Sequence, residues 1–171
     1  MPRRTQIKNK LTNSFLACMA IFICSCEKDD ICNEGTPGTP SLVIRFYDHQ
    51  NPTQYKNLPE IKIQHINRDY PLYLGSSSDS IALPMDLTNK NTRYAFILAS
   101  TTDTVTVADT LQFNHANRVD EYTRRACGFK ASYQLSDPPV IVTNTGSWFI
   151  RAEILTDTIR NEEQAHLAIY H

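Results

Sequence analysis

Three thiols crowd the stretch IFICSCEKDDIC, at Cys24, Cys26 and Cys32. A thiol can be a nucleophile, a metal ligand, half of a disulfide or an acyl acceptor, and its neighbours decide which. Ser25 stands directly before Cys26, and Ile23 two positions further back. A small residue before the thiol leaves a peptidase room to reach the bond. With the aliphatic residue it makes the pattern of a bacterial lipobox. The expected chemistry is transfer of a diacylglyceryl group to the Cys26 thiol, then cleavage and acylation of the freed amine. Two or three acyl chains hold a protein on a bilayer where one is marginal. Cys24 follows the bulky Ile23, so Cys26 is the expected acceptor.

The chain before Cys26 suits that fate. Residues 11–24, LTNSFLACMAIFIC, are mostly apolar and follow Arg3, Arg4, Lys8 and Lys10. A permanent span needs about 20 apolar residues. A basic start, a short apolar run and small residues at its end describe a secretory signal over residues 1–25. Cys18 and Cys24 leave with it. Glu27-Lys28-Asp29-Asp30 then resembles the export signal of Bacteroidota surface lipoproteins. The expected location is the outer membrane, anchored by lipid and exposed at the surface, with the periplasmic face as the alternative.

Cys32 and Cys127 remain without a lipid. An even pair in an oxidising compartment reads as a disulfide. On the chain-entropy model a loop of this length adds about 4 to 5 kcal/mol.

Four tripeptides share the order Asp, hydroxyl residue, aliphatic residue: Asp79-Ser80-Ile81, Asp103-Thr104-Val105, Asp109-Thr110-Leu111 and Asp157-Thr158-Ile159. Composition alone gives about one. The pattern is similar to the O-glycosylation acceptor of Bacteroidota envelope proteins, and Ser80 and Thr158 are the favoured loop-edge sites. The same order also suits a turn that ends in Asp and leads into an inward strand position.

Other chemistry is poorly supplied. His49, His65, His115, His166 and His171 form no HxxxH or HExxH pair, and they are expected at surfaces or strand edges with no metal. His166 and His171 are expected on one strand, facing opposite ways. GxSxG, P-loop and dinucleotide glycine patterns are missing from the sequence. Asp120-Glu121 and Glu162-Glu163 are neighbours, so on a strand they face opposite ways and make no catalytic dyad. No catalytic residue and no cofactor is expected. Beyond residue 25 the chain holds 13 bases against 18 acids, which argues against a nucleic-acid partner. Tyr47, Tyr55, Tyr70, Tyr73 and Trp148 are candidates for a sugar-stacking platform, although Trp148 shares parity with Ile150 and Ile154 and reads more readily as core.

The elements that position these residues are strands. Residues 26–40 are Gly- and Pro-broken and read as a lipidated tether, with the folded domain over 41–171. SLVIRFYD, LPEIKIQHI, SIALPMDL, RYAFILAS, DTVTVADTLQF, GFKASYQL, SWFIRAEIL and HLAIY alternate or run apolar. Pro84 in SIALPMDL marks an edge or bulge. NHANRVDEYTRRA, 114–126, is the best candidate for a short helix or a long loop. The sum is an all-β domain of about eight or nine strands, an immunoglobulin-like sandwich in preference to a closed barrel.

Cys32 with GTPGTPSLVIRFYD, then IALPMDL, DTLQF, RRACGF and NEEQAHLAIY, together resemble a family of small Bacteroidota outer-membrane lipoproteins of unknown function. The resemblance covers about residues 30–171. It implies one lipidated cysteine, a short tether and one β-domain with paired cysteines at positions 32 and 127. It implies no reaction. The expected role is a non-enzymatic binding module for a glycan or an envelope protein, or else a structural subunit of an outer-membrane complex.

Overall fold

In a computed structural model, the described residues are 31–75, 78–98, 107–145 and 147–171. They form two compact units. The smaller joins residues 31–36 to Thr123–Gly128, and the larger is Pro37–Tyr122 with Phe129–His171. Cys26 and Thr104 lie outside the described residues.

Within the smaller unit, Cys32 and Cys127 form a disulfide with Cα atoms 5.0 Å apart. Gly128 closes the turn after Cys127 at φ 71°, a left-handed value that a residue without Cβ adopts without strain.

Eleven strands form two sheets, and no helix occurs among the described residues. The first sheet has the order β4-β1-β11-β9. It contains β1 (Leu42–Tyr47), β4 (Ser80–Leu83), β9 (Arg151–Ile154) and β11 (Leu167–Tyr170). β1 and β11 are parallel, with Ile44 beside Leu167, and the outer pairs are antiparallel. The second sheet runs β10-β7-β6-β5-β2-β3, with β8 also paired to β6. Its strands are β2 (Ile61–His65), β3 (Tyr73–Gly75), β5 (Asn91–Leu98), β6 (Ala108–Arg124), β7 (Gly128–Leu135), β8 (Val140–Thr145) and β10 (Thr158–Ile159). The paths are open, so the fold is a sandwich and not a closed barrel.

Alternation explains the layers. Leu42, Ile44 and Phe46 are fully buried, and Ile61, Ile63, Tyr94, Phe96, Leu111 and Phe113 join them from the second sheet. Each of these inward side chains contributes about 1.5–3 kcal/mol on burial. Pro84 cannot donate to a ladder, and β4 stops just before it.

Four expectations need correction. Residues 114–126 are neither helix nor long loop over most of their length: β6 continues through them to Arg124. Both faces of residues 116–122 are exposed, so no apolar alternation marked the strand. In SWFIRAEIL the buried residue is Phe149, at 1 % exposure, while Ile150 is 53 % exposed. The strand there starts only at Arg151, so period-two counting from Trp148 misplaced the faces. The histidines are not surface residues as a class, since His65, His115 and His166 are buried. His166 and His171 do not share a strand; they flank β11 on either side.

Candidate functional site

A cleft of about 560 Å³ is lined by the loop after β2 and the loop between β4 and β5. A volume in that range suits a small ligand or a few side chains of a partner. Pro84, Met85, Leu72 and Leu87 supply its apolar surface, with Leu72 38 % and Leu87 49 % exposed at the rim. His65, Asn67, Arg68, Asp86, Thr88 and Asn89 supply polar groups.

Each loop is held by local hydrogen bonds. After β2 the chain turns at once: the Arg68 amide donates to the His65 carbonyl at 3.0 Å, and Gln64 Nε2 donates to the Arg68 carbonyl at 2.6 Å. The Asn67 amide donates to His65 Nδ1 at 3.1 Å. The His65 ring packs edge-on to Tyr94, with centroids 5.3 Å apart.

The second loop winds around Asp86. Its carboxylate accepts from the Thr88 amide at 2.8 Å and hydroxyl at 2.7 Å, and from the Asn89 amide at 3.3 Å and Nδ2 at 2.7 Å. This is the turn chemistry that Asp-x-Thr-Asn encodes. Burial pushes this carboxyl up, but the Thr88 and Asn89 donors outweigh it and hold it well below the usual carboxylate range. The Asp86 amide donates to Thr92 Oγ1 at 2.8 Å, which ties the loop to β5. Tyr94 Oη donates to the Pro84 carbonyl at 2.5 Å, and burial pushes that hydroxyl's pKa up. Arg118 on β6 donates to the Leu87 carbonyl and pairs with Asp120 at 2.6 Å.

The residues singled out in the sequence fall elsewhere. Tyr47 and Tyr55 do meet, with ring centroids 5.2 Å apart, and Tyr170 stacks on Tyr47 at 5.4 Å. Arg45 lies over Tyr55 at 4.7 Å and Arg151 over Tyr170 at 4.0 Å. Tyr55 is exposed and Tyr170 buried, so one ring of this row faces solvent broadly. Tyr70 stands in the loop after β2 beside Arg68, and Tyr73 begins β3. Trp148 packs against the core cluster at 4.0 Å from Phe149. Among the described residues no three His, Cys, Asp or Glu side chains converge on a metal position.

Ser80 opens β4, half-buried, and the preceding Asp79 pairs with Arg45 at 3.1 Å. Thr158 opens β10 and donates to Asp157 Oδ1 at 2.9 Å. Thr110 is buried inside β6, between Ala95 of β5 and Val142 of β8. The cleft itself was missed in the sequence. The one local signal for it was Asp86-Leu87-Thr88-Asn89, a turn motif that leaves a leucine outside.

The arrangement defines a two-sheet all-β domain with an apolar, polar-rimmed cleft made by two loops. The chain belongs to a family of unknown function, DUF6452, whose model matches residues 60–171. That span contains every residue lining the cleft. No curated protein and no solved structure matches the chain.

Proposed function

We propose that this is a lipoprotein of a Bacteroidota outer membrane, anchored through acylated Cys26 and displayed at the cell surface, whose β-domain binds an envelope protein without catalysing a reaction. The observation that carries the binding role is the cleft with Leu72 and Leu87 exposed at its rim. Exposed leucines beside a concavity suit an apolar side chain of a protein better than a sugar, which stacks on aromatic faces. Two groups there that could act as acid or base already hold hydrogen bonds. Asp86 accepts four hydrogen bonds from Thr88 and Asn89, and His65 Nδ1 accepts from Asn67. The Cys32–Cys127 disulfide supports an oxidising compartment.

Photocrosslinking from position 87 in the native envelope tests the binding role. A defined protein adduct from position 87, and none from the exposed Val142 on β8, is the expected result. The same adducts from both positions contradict it. For the anchor, mass spectrometry of native material is expected to find an acylated N-terminal peptide that begins at Cys26. A chain that keeps residues 1–25 contradicts it. The intact mass of the same material reads sugar on Ser80 or Thr158.

A second reading rests on Tyr55. Its exposed ring, flanked by Tyr47 and Arg45, is a surface on which a glycan can stack.

A further inference from the structure

The rim of the cleft carries a guanidinium that forms no ion pair among the described residues. Arg68 is exposed on its rim, and its guanidinium donates to Tyr70 Oη and lies 5.7 Å from the Tyr70 ring centroid. Neither partner is an anion. Among the described residues no carboxylate lies within ion-pair distance of Arg68, although Asp69 follows it in the chain.

The Arg68 charge is felt inside the cleft, where it opposes the upward effect of burial on the Tyr94 hydroxyl. Asp86 acts on the same hydroxyl in the opposite sense but forms no ion pair with Arg68. The Asp86 oxygens are turned to Thr88 and Asn89 of their own loop. A fixed backbone turn, through the Arg68 amide and carbonyl, holds the base of the side chain at the rim. An apolar surface of Leu72, Pro84, Met85 and Leu87 thus lies beside a guanidinium that is free of an ion pair.

We propose that the cleft takes the C-terminal end of a polypeptide. The last side chain, aliphatic, lies on Leu72, Met85 and Leu87, and the terminal carboxylate takes the two-pronged hydrogen bond that a guanidinium offers. Asn67 lines the same cleft and offers a side-chain amide to the last peptide groups, whereas the Asn89 donors are held by Asp86. This rests on the reading of the cleft as a protein-binding site and names the part of the partner that enters it.

The test uses the full chain in nanodiscs and a fluorescein-labelled hexapeptide ending in valine and leucine. The free acid is expected to bind about tenfold or more tighter than the C-terminal amide, as the loss of one charge-assisted contact predicts. Arg68→Gln is expected to abolish that difference and Arg68→Lys to keep part of it, with no change in folding because the side chain is exposed. Equal binding of acid and amide overturns the proposal while leaving the cleft a protein site. Binding of octanoate but of neither peptide also overturns it, since the ligand is then a lipid. If no probe binds, the proposal falls, and crosslinking from position 87 decides the broader reading independently.

Discussion

Asp109 on β6 accepts a hydrogen bond from the backbone amide of Phe149 at 2.8 Å, and the same oxygen accepts from the Trp148 amide at 3.0 Å. Asp109 belongs to the second sheet, and the 147–149 segment leads into β9 of the first. One fully buried carboxylate therefore fixes the segment that crosses between the sheets and seats Phe149 against Phe46 and Phe96. Removing it leaves the buried Phe149 amide and the part-buried Trp148 amide without a partner, at a cost of about 1–3 kcal/mol for a buried group. Asp109→Ala is expected to lower unfolding stability in urea by roughly 2–5 kcal/mol. Asp109→Asn, which keeps an acceptor oxygen, is expected to lose less.

Phe149 and Ile150 test the face assignment that follows. Phe149→Ala empties a core position and is expected to cost about 3–5 kcal/mol. Ile150→Ala, at an exposed site, is expected to stay within about 0.5 kcal/mol of wild type. Urea midpoints at constant slope measure both. Reversed magnitudes restore the period-two count from Trp148.

The disulfide joins positions 95 residues apart. Replacing both Cys32 and Cys127 by serine is expected to lower the melting temperature of the chain, by an amount equivalent to at most about 4–5 kcal/mol. Alkylation of the unreduced native protein is expected to leave both thiols unlabelled.

Stability is expected to fall on mild acidification. Burial lowers the pKa values of His115 and His166 from their ordinary value of 6.5. The unfolded chain therefore takes up protons first as pH drops through about 6.5, and the folded state loses ground with a limiting slope of about 1.4 kcal/mol per pH unit for each histidine. The stability these groups contribute is complete above 6.5 and declines until their folded-state values are reached. Urea midpoints at pH 7, 6 and 5 measure it. His115→Phe, which keeps the ring against Tyr133 and removes one titration, is expected to flatten the dependence.

Much of the fold was legible because burial on one face writes itself into alternation. Leu42, Ile44 and Phe46, and Ile61 and Ile63, read directly as inward faces. Residues 116–122 did not, because a strand exposed on both faces has no pattern to read. The buried histidines were misread for another reason: a polar ring inside a core is disclosed only by its partners, as His166 Nδ1 is by the Val43 amide at 3.0 Å. The cleft needed residues 65–72 and 84–94 side by side, a meeting created by the pairing of β2 with β5 and invisible to local periodicity.

Whether the cleft between Leu72 and Leu87 seats a protein is measured most directly by comparing what the native chain and a Leu72→Lys/Leu87→Lys variant hold in the envelope. Both leucines are exposed enough for the variant to fold with an unchanged urea midpoint. The expected result is one protein recovered stoichiometrically with the wild type and lost from the variant. Equal recovery with both, or with neither, contradicts a protein-binding role for the cleft.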